Sequence, residues 1–473
     1  MNWRLVLSIF LFPVLAQSQE KWTLESCIRY AIDNNSNLKL SELNIASADI
    51  NVKESKARRL PNLNGSVNSG INFGRNIDPT SNDFITENIL YSNYGLGSNV
   101  NLFQGGAISN TIKQNAKIKE ATILDHQQNI NDVSLIVANA YLQVLLSDER
   151  IQIAKTNINN INLQLSQMRK LIQAGGRAES DAIEIESQLA RAEQALIGAE
   201  NASELSWFQL RQSMRMNSEK KFEIEKISNE QLEKVIIENY SYDQLYSHAE
   251  QNQAAVKAAK VRLESSKISE KIARSSYYPS ISLNANYGSR YSDAAITPTS
   301  YSLKKQSVPG IYIDGKSAVF EQTVPSIATS KVTSFSDQFD QFLGYGLGLS
   351  LNIPIYNNNA TRANIARAKI QTKSNAIQLD LRKESLSQDI TQALINVRAA
   401  KKELEASQKS LNAASTSLDK TKKRFEIGSA SSFEMNQAQN NFQNAELNKI
   451  IAKYDLIFKY KILDYYAGKQ IKL

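Results

Sequence analysis

The sequence predicts an α+β membrane protein, internally duplicated, with four transmembrane β-strands per chain and long coiled-coil helices. Three observations carry this. The phrase YGLGSNVNLFQGGA at 94–107 returns as YGLGLSLNIPIYNNNA at 345–360. Strand-length segments alternate apolar side chains with Asn, Ser and Gly. After each copy of the phrase comes a proline-free run with a seven-residue apolar repeat. A repeat of this kind has to be settled before domains are counted.

At the N-terminus, MNWRLVLSIFLFPVLAQSQ joins Arg4 to an apolar run from Leu5 to Leu15 and to the small residues Ala16 and Ser18. This predicts a signal peptide over residues 1–18, not a membrane span, and therefore an exported protein. No acceptor cysteine stands just after it, so lipidation is not expected. The chain has 1 cysteine, Cys27, and so no intrachain disulfide. Cys27 lies in WTLESCIRYAIDNN, whose spacing reads as a short helix with the thiol in the core. His126 and His248, the 2 histidines, sit in polar helical surroundings without metal-ligand spacing. Triad motifs and phosphate loops are also missing, so no catalytic residue, metal or cofactor is expected. The formal net charge of +8 is spread along the chain without a basic block, which leaves no footprint for nucleic acid. After the signal, no apolar run of membrane-spanning length is expected, and hence no transmembrane helix.

Two offsets relate the halves. Pro61 and Pro279, in KARRLPNLNGSV and IARSSYYPSISLNA, stand 218 residues apart. Gly175 and Gly428 stand 253 apart, an offset that also relates Ala107 to Ala360, Asp181 to Glu434 and Ala192 to Ala445. The extra residues of the second half fall in the loop before Tyr345 and, two of them, in LNIPIY against VNLF. A shift of two leaves the facing of a strand unchanged. The first repeat is therefore expected over 19–235, with strands at about 62–75 and 92–103 and a helical hairpin at about 105–215. The second is expected over 236–473, with strands at about 280–291 and 343–356 and a hairpin at about 359–465.

Each strand has one apolar face. Leu63, Val67, Ile71 and Phe73 alternate with Asn, Ser and Gly, and Tyr94, Leu96, Val100 and Leu102 oppose Gly95, Gly97, Asn99 and Asn101. In the second half Ile281, Leu283, Ala285, Tyr287 and Tyr291 oppose Ser282, Asn284, Asn286, Gly288 and Arg290. Leu343, Tyr345, Leu347, Leu349, Leu351 and Ile353 oppose Gly344, Gly346, Gly348, Ser350 and Asn352. Strands of roughly ten residues with one lipid-compatible face and one small polar face suit a transmembrane barrel wall. Four cannot enclose a pore, because the smallest barrels use about eight; further subunits must complete it. The segments 76–93 and 292–341 read as polar loops at the barrel's exposed end.

The run from Ala107 to Ile172 would extend about 100 Å as a helix at ~1.5 Å per residue. One seam is Val137, Val144, Ile151, Ile158, Leu165 and Ile172; the other is Val133, Ala140, Ser147, Ala154, Ile161 and Met168. Adding 253 gives Ile390, Val397, Leu404, Leu411, Leu418 and Phe425, with Leu386, Ala393, Ala400, Ser407, Ala414 and Thr421. Sustained heptads predict coiled-coil packing. Glycines close each run, Gly175 and Gly176 in the first and Gly428 followed by Ser429 in the second, and helix resumes within a few residues, which predicts two hairpins with tight tips. Shorter helices are expected at 24–60 and 242–278, each broken, near Asn35 and Gln253.

These features resemble the TolC family of trimeric outer-membrane efflux and secretion channels. The resemblance rests on the doubled proline-to-strand junction at Pro61 and Pro279, on LFQGGA and IYNNNA, and on the doubled tips AGGRAESDAIEIESQLARAE and EIGSASSFEMNQAQNNFQNAE. It implies a homotrimer whose strands form a 12-stranded barrel in outer-membrane lipid, continued by a helical tunnel through the periplasm of a Gram-negative bacterium. It also implies two partners, a periplasmic adaptor docking near the tips and an inner-membrane transporter, and no reaction. The expected work is small-molecule efflux in a tripartite pump; the same duct in type I protein secretion is the alternative, with a passive porin or a structural envelope protein further behind. Phe103, Gly105, Pro354 and Tyr356 complete the expected strand-to-helix junctions.

Matching tips places the family's acidic positions at Asp181 and Glu434, with Glu184 near the first turn of the same returning helix, and the gate-side aromatic at Phe425. Two departures stand out: Ala430 replaces an arginine and Gln437 a carboxylate. Arg177, in the equivalent place of the first half, is expected either to link to an acidic neighbour or to pair with Asp181, four residues on, or with water.

Overall fold

The computed structural model describes residues 21–77, 82, 84–217, 222–225, 239–313 and 316–469. The expected signal over 1–18 and the expected boundary at 235/236 lie outside them. The first half contains α1 (Leu24–Asn34), α2 (Ser36–Ala57), β1 (Asn64–Asn72), β2 (Arg75–Ile77), β3 (Phe84–Thr86), β4 (Ile89–Gln104), α3 (Ala107–Gln173) and α4 (Glu179–Ser213). The second contains α5 (Tyr242–Asn252), α6 (Ala254–Ser275), β5 (Ser280–Ser292), β6 (Ile296–Ile313), β7 (Lys316–Val332), α7 (Phe335–Gln341), β8 (Gly344–Asn352), α8 (Ala360–Glu426) and α9 (Ser432–Tyr466). Shifting the bounds of α1 and α2 by 218 gives those of α5 and α6, and shifting α3 and α4 by 253 gives those of α8 and α9. The expected breaks are present, with the Asn35 side chain accepting from the amides of Asn37 and Leu38 at the start of α2.

Two compact units are distinguished, each drawn from both halves of the chain. One holds the described residues up to Asp49, with Lys117–Glu264 and those from Lys373 on, and is helical apart from a bridge between Trp22 and Ile224. None of the heptad residues named above is exposed. Val137, Tyr141 and Val144 pack with Leu24, Cys27 and Leu210 in one cluster; Leu386, Ile390 and Leu463 pack with Leu245 and Val256 in another. Cys27 and Leu245, 218 apart, are both almost fully buried, so the thiol serves the core, where burial pushes its pKa up to about 12. Tyr141 donates to the carbonyls of Trp22 and Glu225 at 3.2 and 2.8 Å, satisfying its hydroxyl inside that cluster. His126 Nδ1 hydrogen-bonds the Ser41 hydroxyl and His248 Nδ1 the Tyr466 carbonyl. One expectation is corrected here. α3 does hold a window apolar enough to cross a membrane, and its Val137, Tyr141, Val144 and Leu145 are spent on the helical core.

The other unit, Ile50–Ala116 with Ser265–Thr372, holds an antiparallel sheet in the order β1-β4-β5-β8. Register puts the two kinds of residue on opposite faces. One face carries the rows Gly65–Leu96–Tyr287–Tyr345 and Val100–Leu283–Leu349; the other carries Ser66–Gly95–Gly288–Gly344 and Asn64–Gly97–Asn286–Gly346. The apolar face is open, with Tyr345 84% and Leu347 81% exposed. A register shift between Asn101 and Phe103 bulges β4 at Leu102, so Phe103 rather than Leu102 completes the row with Ile281 and Leu351.

Two further expectations are corrected. The strand expected over 343–356 ends at Asn352, because Pro354 has no amide hydrogen to continue a ladder. The segments expected as loops contain structure: β2 pairs with β3, and β6 with β7 in a long hairpin rich in Thr, Val, Ile and Tyr. Its Pro298 and Pro325 are tolerated because each strand of a two-stranded ribbon has an unpaired edge. After it, α7 lays Phe335 and Phe339 against Tyr94 and Tyr291 on the sheet's apolar face. Gln338, fully buried, locks it by accepting from the Ser292 amide and donating to the Ser292 and Thr333 carbonyls at 2.8–2.9 Å.

Each strand-to-helix junction turns through two left-handed residues. Gly105 and Gly106 have φ of +56° and +82°, and Asn358 and Asn359, 253 later, have +53° and +65°. Asparagine tolerates this region better than other residues that carry a Cβ. At Gly105 even asparagine would not fit, since a Cβ would stand 2.6 Å from the Ser275 carbonyl and 2.8 Å from Tyr278 Cβ. Gly105→Ala should therefore lower stability by more than the ~1–2 kcal/mol left-handed penalty alone. Gly175→Ala, where nothing lies within 4 Å, should lose only that penalty. Urea unfolding of the purified variants, compared by midpoint, checks the order; equal losses would contradict it.

Candidate functional site at the hairpin tips

Both long helices end the same way because glycine can take the left-handed turn that lets two further amides cap the last carbonyls. Gly175 (φ +74°) donates to the Ile172 carbonyl and Gly176 to Leu171, both at 2.9 Å. Gly428 (φ +79°) donates to Phe425 at 3.0 Å and Ser429 to Arg424 at 2.7 Å. These are paired 5→2 and 6→1 closures, the Schellman arrangement. Helix then restarts differently in the two halves. α9 opens with a capping box, Ser431 and Glu434 bonding each other's backbone amides; α4 opens at Ala178 with no side-chain cap.

Phe425 packs with the cluster of Ile161, Leu165, Met168, Ala182 and Ile185, which belongs to the first-half hairpin. Arg177 reaches the same residue. Its Nη2 donates to the Phe425 carbonyl at 3.4 Å, and its guanidinium carbon lies 5.0 Å from the ring centroid. Among the described residues Arg177 makes no ion pair, with Asp181 or with another acid. The aromatic ring and the carbonyl near the end of α8 together take the place of a carboxylate. Farther up the hairpins, Gln443 donates to Asn157, another polar link between the halves.

Of the acidic residues, Glu434 is the most engaged. It accepts from the Ser431 amide at 2.8 Å and pairs with Arg424 at 3.4 Å, while Arg424 also donates to the Ser429 carbonyl at 3.0 Å. The Ser431 amide above all, and then Arg424, holds the Glu434 carboxyl below the ordinary carboxylate value. Glu184 lies 3.8 Å from Arg191 on its own helix, Asp181 makes no ion pair among the described residues, and Gln437 donates to Asn441 at 3.1 Å. Sequence reasoning missed Arg424 as the partner of Glu434. The spacing S-x-x-E from Ser431 signalled the cap, but nothing local signals that an arginine seven residues before the cap folds back across the turn.

The chain matches the outer membrane efflux protein family over residues 27–214 and 245–468. It belongs to that family. The two matched stretches begin 218 residues apart, the same offset that relates α1 to α5. Over 418 residues the chain is 21% identical to the outer membrane protein TolC of Vibrio cholerae, covering 86% of this chain and 81% of that protein. It is 24% identical over 139 residues to the outer membrane efflux protein BepC of Brucella suis, 28% of this chain and 30% of that one. Among solved structures it superposes on CusC with TM-score 0.75 at 16% identity, over 95% of this chain and 93% of that one. The open state of the MtrE outer membrane channel of Neisseria gonorrhoeae gives 0.72 at 16%, over 95% and 90%. As a member of this family the chain is a non-catalytic conduit of the outer membrane.

Since its folded pKa is lowered, the ionised Glu434 favours the folded tip above the ordinary carboxylate pKa of 4.5, and that contribution fades as pH falls through the lower folded value. Carbon-13 NMR of the Glu434 carboxyl in solubilised protein should titrate with a midpoint below 4.5, and Arg424→Gln should move it upward. A midpoint at or above 4.5 would contradict the capping geometry.

Proposed function

We propose that this chain is the outer-membrane channel of a tripartite efflux system, carrying small molecules such as drugs or toxic compounds to the exterior. The observation that supports it best is the four-stranded sheet with an exposed apolar face and a face of Gly, Asn and Ser. In lipid, the outer edges of β1 and β8 would leave backbone groups without partners. Three copies, β8 of one beside β1 of the next, remove every edge in a 12-stranded barrel and leave the polar face inward. On this reading the chain is one duplicated unit, residues 19–235 and 236–473 being its repeats after cleavage of a signal peptide at 1–18, without lipidation. The doubled helical hairpins form a periplasmic tunnel. The turns at Gly175, Gly176, Gly428 and Ser429 meet a periplasmic adaptor, itself bound to an inner-membrane transporter. The junctions around Pro61, Phe103, Gly105, Pro279, Pro354 and Tyr356 mark where the wall passes from strand to helix.

Native mass measurement in mild detergent should give three copies; a monomer or dimer would sink the barrel. Deleting the gene should raise intracellular retention of a fluorescent efflux substrate, with recovery on complementation. Loss of a secreted protein with unchanged dye retention would favour the secretion reading instead.

The tips supply the gate. Arg177 ties the first-half tip to Phe425 of the second, and Asp181, Glu184, Glu434 and Gln437 stand on the returning helices beside it. Arg177→Ala or Phe425→Ala should loosen this link and raise single-channel conductance severalfold. Conductance equal to that of the unaltered channel in both variants would show that the contact does not hold the tip.

A further inference from the structure

Arg290 is the sole Asp, Glu, Lys or Arg in β1, β4, β5 and β8. It pairs with Asn93 two residues beyond the row Gly95–Gly288–Gly344, so it projects from the polar face at the loop end of the sheet. Continuing the β5–β8 register from Gly288–Gly344 sets Phe342 opposite it, and the guanidinium carbon lies 4.7 Å from that ring's centroid. Such a contact biases the side chain toward one position.

Size changes along this face together with charge. Toward the helix end it is built from Gly, Asn and Ser. At the loop end come Arg290, Phe342 and then Tyr91, whose hydroxyl lies 2.8 Å from where a Cβ on Gly70 would stand. Among the described residues no acid forms an ion pair with the guanidinium. Asp293 accepts the Leu90 amide at 2.9 Å and Asp337 the Ser334 hydroxyl at 2.5 Å. Asp340 belongs to α7, which packs by its phenylalanines on the opposite, apolar face.

We propose that Arg290, seated on Phe342, is a specificity-setting residue that attracts anionic cargo at the loop-end mouth of the channel. This rests on the trimeric-barrel reading, which repeats it three times about one axis. In strands that carry no other charge, three fixed cations make the wall positive at their own level, and at low salt their fields overlap across the mouth. The wall below them is neutral and lined by small residues, so discrimination is concentrated in this one ring.

The test is sided block of the trimer in planar bilayers at low salt, with inorganic pyrophosphate added on the loop side. Pyrophosphate should reduce the current, and Arg290→Gln should raise the half-blocking concentration roughly tenfold or more by removing three charges. Arg290→Lys, which keeps the charge, should retain most of the block, and Phe342→Ala should fall between. The same half-blocking concentration in Arg290→Gln, in a particle that is still trimeric by native mass, overturns the proposal, as does an unaltered trimer that pyrophosphate does not block. An unaltered chain that is not trimeric, or does not conduct, overturns the barrel reading beneath it.

Discussion

A polypeptide in hydrocarbon has no water with which to satisfy its amides and carbonyls, and the architecture follows from that constraint. A four-stranded sheet pairs its inner strands completely and its outer strands on one side only. The sequence of β1, β4, β5 and β8 accepts this cost because most alternate residues are fit for lipid and most of the rest are small and polar. A sheet of this composition is not a soluble core: its large side chains point away from the chain that carries them, and Tyr345 and Leu347 are almost fully exposed. Family membership and the open apolar face are thus two views of the same fact.

The helical unit solves the opposite problem. Here burial within the chain is available, and the heptad seams turn toward it, as do Cys27 and the Val137, Tyr141 and Val144 of α3. Equivalent positions of the halves do equivalent work with different residues. Gly105–Gly106 and Asn358–Asn359 make the same left-handed turn. Arg215 and Gly468, again 253 apart, both close the returning helices at positive φ, of 56° and 77°. Where the backbone demand is shared and the crowding is not, the second residue is free to vary; at Gly105 the Ser275 carbonyl removes that freedom.

The tips depart most from a simple repeat, and their chemistry explains why. A capping box and an Arg424 pair hold the second tip to itself, while the first, lacking a side-chain cap, sends Arg177 across to Phe425. An arginine that stacks on a ring and donates to a helix-terminal carbonyl needs no acid, which accommodates a tip where Gln437 stands in an expected acidic position. Arg290 also sets a guanidinium against an aromatic ring, beside Phe342 at the loop end of the sheet.

Period and offset made most of this fold legible in the residues. A period of two named the strand faces, a period of seven named both seams, and offsets of 218 and 253 placed α5, α6, α8 and α9 from the first half, because these patterns are local and each residue's direction follows from its neighbours along the chain. Glycines at the ends of the seams likewise announced the hairpin turns. What only the tertiary structure decided depends on residues brought together from afar: that Arg177 meets Phe425 and not an acid, that Arg424 folds back to Glu434, that β4 bulges at Leu102, and that the segment 292–341 pairs into a hairpin held by Gln338. In each case several partners satisfy the local pattern equally well, and the choice falls to the geometry in which the whole chain leaves the fewest polar groups unmet.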